Sequence, residues 1–345
     1  MNKKKSLISV SLLVSAVLAS ANISFSSDRY VNEDYLYGIT NQEFKNIDVS
    51  AERYTEDGDG YKAGDLKPGQ SEGYGGAIYN TGTINFLSSN NYTGNKADFG
   101  GAIFNQGVIN AIENEVFSGN TAVADGGAIY NLGEIGSIIG EFTGNTASGI
   151  NYDSYINSSG RGGAIFNYGG KVITGGEDSY LSSTIDSIGG KFENNSANLD
   201  GGAIYNAGEI GTIGGTYTNN TAQNGKGGAI YNTNSGGDGY TPPEGDEEGL
   251  KFGEIDTITG TYTGNSAAEG GGAVYNNGNI ENINAAFNNN GKYSNDDKTV
   301  NTKIGGAIMN DGNINNLYDS TFKGNSSTEK GGAIYNEGSV SLGGD

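Results

Sequence analysis

The chain repeats a six-residue string at nearly regular intervals, and this repeat restricts the possible folds more than any other feature of the sequence. The string Gly-Gly-Ala-[Ile/Val]-[Tyr/Phe/Met]-Asn occurs nine times, beginning at Gly75, Gly100, Gly126, Gly162, Gly201, Gly227, Gly271, Gly305 and Gly331. Four of the eight intervals are 25 or 26 residues long, and the others are longer. A period of roughly 20 to 50 residues is typical of solenoids and related repeat architectures.

A second string, aromatic-x-x-Asn, and an Ile-x-x-Ile-like pair stand between copies of the first string. The second string begins at Tyr92, Phe117, Phe142, Phe192, Tyr217, Tyr262, Phe287 and Phe322. Each unit thus has three short apolar segments separated by Gly or Asn, without the periodicity of a helix. Leu is too scarce for a leucine-rich repeat. The pattern predicts an all-β fold, a right-handed parallel β-helix (β-solenoid) of about nine to ten rungs of roughly 25 residues.

Equivalent residues of successive rungs in such a fold lie about 4.8 Å apart, so that side chains of the same type stack on one another. We expect the Ile column of the first string to face the core, because Ile is nearly constant there while the next position varies among Tyr, Phe and Met. Asn residues such as Asn131 and Asn206 are expected to form an amide ladder. The three-residue spacing of the Ile pair does not fit simple alternation, which predicts a corner or bulge between its two members.

Four insertions account for the longer intervals, and they fall at only two places in the unit. Insertions 1 and 4 (residues 148–160 and 291–303) follow the aromatic-x-x-Asn string, and insertions 2 and 3 (residues 168–184 and 233–252) follow the Gly-Gly-Ala string. Insertions at one place of a solenoid leave it at one edge, so we expect loops presented from a rod. Their tyrosines either contact a partner, since Tyr offers rigid amphipathic contact area, or pack onto the rod. The candidate contacts are Tyr152, Tyr155, Tyr180, Tyr240 and Tyr293.

The sequence divides into three regions. Residues 1–21 contain three lysines, a twelve-residue apolar run and the small residues Ala19-Ser20-Ala21, a pattern typical of a secretory signal peptide. Residues 22–74 lack the repeat and are predicted to be a non-repeat leader or an N-terminal cap, because a bare strand edge invites aggregation. Residues 75–345 are predicted to be the β-helix repeat domain. It stops one partial rung after Gly331, as expected of a truncated chain.

The composition excludes several kinds of chemistry. The chain has no His and no Cys, so that disulfides, His-containing catalytic triads and His-ligated zinc are excluded. A formal net charge of −21 opposes binding to nucleic acid. Paired acids such as Asp246 and Glu247 lie in Gly-rich insertions, where solvated charge is the simpler interpretation. We therefore predict a protein that is not an enzyme and has no metal or cofactor. The alternative is a secreted β-helix polysaccharide lyase or hydrolase.

The two strings together resemble the repeats of the polymorphic outer membrane proteins of chlamydiae and of related autotransporter passengers. The resemblance runs from about Gly75 to Leu342 and rests on Gly-Gly-Ala-Ile and Phe-x-x-Asn as a set. It implies a signal peptide, a β-helical passenger at the cell surface, adhesion and a C-terminal outer-membrane barrel. No such barrel segment is recognisable in this sequence, so the resemblance implies contact with the outer membrane only through a barrel outside this chain.

These observations predict an exported, adhesin-like protein at the cell surface or in the extracellular space, which presents loops from a β-helical rod. The expected partner is a protein or a glycan on a host cell or a neighbouring cell. A structural surface-layer or matrix protein is a further alternative.

Overall fold

The computed structural model describes residues 24–25, 29–32, 35–49, 73–149, 160–174, 177–235, 251–291 and 300–343. These residues form a parallel β-helix in which the chain passes from rung to rung through parallel sheets, and the predicted fold class is confirmed. Within these ranges every regular element is a strand. In the same ranges, no helix is long and apolar enough to cross a membrane.

Three parallel sheets form the walls of the rod. The ten-stranded sheet consists of Tyr30–Asn32, Ile78–Asn80, Ile103–Asn105, Ile129–Asn131, Ile165–Asn167, Ile204–Asn206, Ile230–Thr233, Val274–Asn277, Ile308–Asn310 and Ile334–Asn336. The fifteen-stranded sheet consists of Ser24–Phe25, Tyr35–Thr40, Glu43–Lys45, Thr83–Ser88, Asn91–Thr93, Val108–Ser118, Glu134–Thr143, Thr184–Glu193, Glu209–Ile213, Thr216–Thr218, Glu254–Thr263, Asn279–Asn288, Asn313–Leu317, Thr321–Lys323 and Ser339–Leu342. The six-stranded sheet consists of Lys96–Ala97, Thr121–Ala122, Thr146–Ala147, Ser196–Ala197, Thr221–Ala222 and Ser266–Ala267.

Strands of successive rungs pair in register, so that equivalent residues of the repeat lie side by side. In the ten-stranded sheet Ile103 pairs with Ile129, and Ile129 pairs with Ile165 although insertion 1 separates these two in the sequence. Ten strands in this sheet correspond to ten rungs, in agreement with the predicted nine to ten. The ladders therefore keep one register whether or not an insertion lies between two rungs.

Columns of Ile and of aromatic rings fill the interior of the rod. Ile129 and Ile138 are fully buried in one continuous core, which confirms that the Ile column faces inward. Phe117 and Phe142, from successive rungs, stack with ring centroids 4.5 Å apart and an interplanar angle of 9°. Burying each such side chain contributes roughly 1.5–3 kcal/mol. The repeated columns thus supply the stability that disulfides provide in many exported domains.

The strand that carries the Ile pair is irregular between its two Ile residues. Between two neighbouring rungs, Ile109 pairs with Ile135 and Ile112 pairs with Ile138, but the ladder skips Asn110. In a regular strand, side chains three residues apart point to opposite faces of the sheet. Because Asn110 interrupts this alternation, the side chains of Ile109 and Ile112 both point into the core and are fully buried. The predicted irregularity between the two is therefore present.

Two columns of Asn form continuous amide ladders along the rod. In the first, Asn105 Nδ2 donates to Asn131 Oδ1 at 2.8 Å and Asn131 Nδ2 donates to Asn167 Oδ1 at 2.9 Å. In the second, which belongs to the aromatic-x-x-Asn string, Asn120 Nδ2 donates to Asn145 Oδ1 at 3.0 Å. All five side chains are fully buried. The predicted Asn ladder is confirmed, and the rod contains two of them.

The described part of the segment that lacks the repeat forms a further rung. Tyr30–Asn32 pairs with Ile78–Asn80, and Asn32 Nδ2 donates to Asn80 Oδ1 at 2.7 Å, so this rung joins the first Asn ladder. Phe44 stacks on Tyr92 with ring centroids 5.1 Å apart and so joins the aromatic column of the core. The rung thus reproduces the contacts of the repeat without its Gly-Gly-Ala string.

Candidate functional site

The residue between Ile and Asn in the Gly-Gly-Ala string points away from the core and forms a second column of rings. We call this the outer aromatic column; it consists of Tyr79, Phe104, Tyr130, Phe166, Tyr205, Tyr231 and Tyr275. Neighbouring ring centroids lie 4.7–5.6 Å apart. Much of the column belongs to a hydrophobic cluster separate from the core, as the alternation of side chains along a strand requires. The outer face of the ten-stranded sheet is the candidate functional surface, because every insertion leaves the rod beside it.

Insertions 1 and 4 return to the rod just before the Gly-Gly-Ala string, at one margin of this face. A Cβ on Gly160 would lie 2.9 Å from the Cα of Gly149, so the two ends of insertion 1 touch. In insertion 4, Thr302 N donates to Gly291 O at 3.2 Å, and Thr302 Oγ1 accepts from Ala267 N at 3.1 Å. Both insertions therefore leave the rod and return to it at nearly one point.

Insertions 2 and 3 leave directly after the Gly-Gly-Ala string, at the opposite margin of the same face. Ser183 N donates to Tyr168 O at 3.0 Å, which closes the base of insertion 2. At insertion 3, a Cβ on Gly253 would lie 2.3 Å from the backbone of Thr233, so these ends also meet. The strands between the two margins are mostly three residues long, or about 10 Å at about 3.3 Å per residue. All four insertions thus border one narrow strip that carries the outer aromatic column.

Insertion 2 is an antiparallel hairpin, and its prediction as a loop was wrong. Gly169–Thr174 pairs with Glu177–Ser182 along six residue pairs. The sequence did contain a signal for this hairpin. Gly175-Gly176 is a two-residue connection between two runs that include Val172, Ile173 and Tyr180, and Gly-Gly suits the positive φ angles of tight hairpin turns.

Phe166 links the two margins of the strip. Arg161, where insertion 1 returns, has its guanidinium carbon 5.1 Å from the Phe166 ring centroid and 5.0 Å from that of Tyr205. Tyr168, the first residue of insertion 2, is buried with its ring 6.4 Å from the Phe166 ring. A cation–π contact contributes about 0.5–2 kcal/mol. The residues at the bases of insertions 1 and 2 therefore contact the same aromatic ring, Phe166.

The residue before each Gly-Gly pair forms a column of alternating charge through four consecutive rungs: Asp125, Arg161, Asp200 and Lys226. Arg161 Nη2 donates to Asp125 Oδ2 at 2.9 Å, and Arg161 Nε donates to Asp125 Oδ1 at 3.2 Å. Lys226 N donates to Asp200 Oδ1 at 2.8 Å. Burial raises the pKa of Asp200 to about 6, against the effect of the Lys226 N–H and of the Arg161 and Lys226 charges. This column was not predicted from the sequence, where its signal is a change in the sign of the charge at one fixed position of the repeat.

Four of the five candidate tyrosines lie outside the described residues: Tyr152, Tyr155, Tyr240 and Tyr293. Tyr180 belongs to the strand Glu177–Ser182, in which it pairs with Lys171, and its side chain is outside what the structure describes. The contact of these tyrosines with a partner stays a prediction.

The buried acid Glu115 has a structural environment. Glu115 Oε2 accepts from Asn90 N and Glu115 Oε1 accepts from Asn90 Nδ2, both at 2.9 Å. Burial raises the pKa of Glu115 to about 9, although the hydrogen bonds from Asn90 oppose the rise. Burial thus favours the protonated form of Glu115. Elsewhere in the described ranges, no three His, Cys, Asp or Glu side chains come together as a metal-binding group.

Residues 116–132, 190–207 and 319–337 match the family model of the Chlamydia polymorphic membrane protein repeat. Three stretches of the chain carry this repeat. Each contains one aromatic-x-x-Asn string followed by the next Gly-Gly-Ala string. This confirms the resemblance inferred from the sequence. No curated protein and no solved structure matches the chain.

Proposed function

We propose that the chain is a non-catalytic, adhesin-like passenger of the cell surface, which binds a protein or glycan of a host or neighbouring cell through its insertions. The observation that carries this proposal is that all four insertions border one face of a rod whose ladders they leave unchanged. The polymorphic membrane protein repeats support a location at the outer membrane or cell surface.

The columns of the rod and the insertions tolerate change differently. A substitution at Ile129 alters the contacts of the rungs on both sides, because Ile129 pairs with Ile103 and with Ile165. Residues that leave the rod and return to the same point escape this restriction, and lengthening such a segment adds little closure entropy. Binding specificity is therefore more easily carried by the insertions than by the columns.

Insertion 3 favours a basic partner surface. Its sequence includes Asp238, Glu244, Asp246, Glu247 and Glu248 around Pro242-Pro243. Attraction between exposed charges is screened over about 8 Å at physiological ionic strength. If insertion 3 binds in this way, attachment should weaken as salt is raised.

Single replacements of the insertions test the proposal. Residues 151–159, 236–250 and 292–299 are each exchanged for a short Gly-Ser link, and insertion 2 is shortened between Tyr168 and Leu181, both of which pack on the outer aromatic column. We expect an unchanged β spectrum and nearly unchanged melting temperature, with weaker attachment to cells in at least one variant.

A matched control lies away from the insertions. Ile139 is half exposed in the fifteen-stranded sheet, and Ile139→Ser should leave attachment unchanged. Parental attachment by every insertion variant would refute the proposal. Release of sugar ends from a polysaccharide by the full chain would favour the lyase or hydrolase alternative.

A further inference from the structure

A polar cleft of about 480 Å³ opens beside insertion 3, where the chain turns from the ten-stranded sheet into the fifteen-stranded sheet. It crosses the corners of three successive rungs, with Gly278, Gly312 and Gly338 along its floor and Phe252 and Glu254 at one end. Small-molecule sites in proteins typically have volumes of about 300–1,000 Å³. The cleft is therefore large enough for a ligand of that class.

The glycines of the floor are required by the stacking of the rungs. A Cβ on Gly312 would lie 2.2 Å from Gly278 O, and a Cβ on Gly338 would lie 1.9 Å from Gly312 O. Contacts this short exclude any side chain. The backbone thus forms a floor without side chains, and the cleft stays open along its length.

The walls of this cleft differ from the same corner in the middle rungs. There the residue before the corner glycine is apolar and buried, as Leu132 and Ala207 are, whereas the first two repeat rungs have the exposed Thr81 and Gln106. In the rungs of the cleft the equivalent residues are Asn277 and Asp311, and Asn313 follows Gly312. An Asn side chain offers two N–H donors and one carbonyl acceptor. The cleft therefore presents donors and acceptors on successive rungs, about 4.8 Å apart.

Several of these groups are held in place by contacts within the protein. Tyr275 OH donates to Asp311 Oδ2 at 2.8 Å, and Lys226 Nζ lies 3.7 Å from the same oxygen, so this carboxylate is held in one orientation. Asn279 Nδ2 donates to Glu254 Oε2 at 2.8 Å, which fixes the opposite wall.

We propose that this cleft binds a neutral oligosaccharide, with the amides and carboxylates of its walls forming hydrogen bonds with the sugar hydroxyls. The inference rests on the proposed function and names a ligand class for it. A hydroxyl donates and accepts, which suits walls of Asn and Asp. The acids Glu254 and Asp311 and the net charge of −21 oppose sulfated or other anionic glycans.

The full chain should be applied to an array of neutral hexose and N-acetylhexosamine oligosaccharides, printed beside sulfated glycosaminoglycan fragments. We expect binding to at least one neutral oligosaccharide and not to the sulfated fragments. The double variant Asn277→Ala/Asn313→Ala should bind that oligosaccharide about tenfold more weakly, since it removes hydrogen-bonding groups from both sides of the floor. Its melting temperature should match that of the parent, because both side chains are at the surface.

Asn224→Ala is the matched control, because Asn224 is an exposed Asn whose Nδ2 donates to Asn198 Oδ1 outside the cleft. It should bind like the parent. Binding of sulfated fragments alone, binding of no glycan, or parental binding by the double variant would overturn the inference.

Replacing residues 236–250 while keeping Asn234 and Phe252 separates this inference from the proposed function. Neutral-glycan binding should survive that replacement. If the chain attaches to cells through its insertions but binds no neutral glycan, only the cleft inference fails. If neutral glycans bind but no insertion affects attachment, only the role given to the insertions fails.

Discussion

Asn131 and Asn167 lie 36 residues apart in the sequence but one rung apart in the rod, and Asn131 Nδ2 donates to Asn167 Oδ1 at 2.9 Å. The preceding contact, from Asn105 to Asn131, joins residues 26 apart at 2.8 Å. The ladder is therefore the same with and without an insertion between the rungs. The geometry of the rod is set by its columns, which leaves the insertions free to vary.

Replacing Asn131 with Ala should destabilise the rod. The substitution removes the donor to Asn167 Oδ1 and to Gly133 O, and it removes the oxygen that accepts from Asn105 Nδ2 and from Gly133 N. Because buried groups left without a partner cost roughly 1–3 kcal/mol, we expect the free energy of unfolding in a denaturant titration to fall by roughly 2 kcal/mol or more. Asn110→Ala, which removes an exposed amide, is the control. An equal loss in both variants would contradict a stabilising ladder.

Arg161→Ala should be among the most destabilising single substitutions, because it leaves the buried carboxylate of Asp125 with backbone N–H donors but without its positively charged partner. Removing one member of a buried ion pair typically costs about 3–5 kcal/mol. The exposed pair of Lys251 and Glu209, with Nζ and Oε1 3.1 Å apart, provides the comparison. Lys251→Ala should lower the free energy of unfolding by about 0–1 kcal/mol. Similar losses in the free energy of unfolding for the two substitutions would show that the Asp125–Arg161 pair does not stabilise the rod.

The hydroxyl of Tyr217 is buried in the core without a hydrogen-bond partner among the described residues. Its ring stacks on Phe192 at 4.7 Å, so Phe already fits this column. Tyr217→Phe should therefore leave the melting temperature unchanged or raise it. Tyr275→Phe, which removes the donor to Asp311 Oδ2, should instead lower the free energy of unfolding by roughly 1–3 kcal/mol. A clear destabilisation by Tyr217→Phe would indicate a partner for its hydroxyl.

Glu115 should make the rod less stable as the pH rises. Its pKa is about 9 in the folded protein, mainly because of burial, against an ordinary value of 4.5. Between these two values the folded protein keeps a proton that the unfolded chain releases. The stability that Glu115 contributes is thus full below about pH 4.5 and is lost as the pH rises towards about 9.

Denaturant titrations between pH 5 and pH 9 measure this dependence. Glu115→Gln cannot ionise, so its free energy of unfolding should improve relative to the parent as the pH rises. Glu113→Gln, at an exposed neighbouring position, should follow the parent. A constant difference between Glu115→Gln and the parent across this range would rule out titration of Glu115.

The features that the sequence predicted are those that each unit repeats. Three strands per rung, the inward Ile column and the Asn ladder follow from local strings, because stacking places equivalent positions side by side. The N-terminal rung was missed because no Gly-Gly-Ala string precedes Tyr30 and because Ile47 stands where later rungs have an Asn. Its register is revealed by strand pairing, of Tyr30 with Ile78 and of Phe44 with Tyr92.

The Asp125–Arg161 pair and the cleft were not predicted from the sequence, because both form only between residues of rungs that are neighbours in the folded rod. Asp125 and Arg161 are 36 residues apart, and only their stacking makes one the partner of the other. The cleft likewise requires the corner residues of three rungs to be aligned. The role of the insertions as loops was inferred from spacing alone, and spacing does not distinguish an irregular loop from the hairpin of insertion 2.

Cell attachment by a variant with all four insertions replaced is the most direct test of the account. The variant keeps Arg161, Tyr168 and the glycines at the bases of the insertions, and its circular dichroism and melting temperature are measured beside those of the parent. We predict an intact β spectrum, a melting temperature close to that of the parent and attachment reduced to the background. A folded variant that attaches as well as the parent would contradict the account and would assign binding to the faces of the rod.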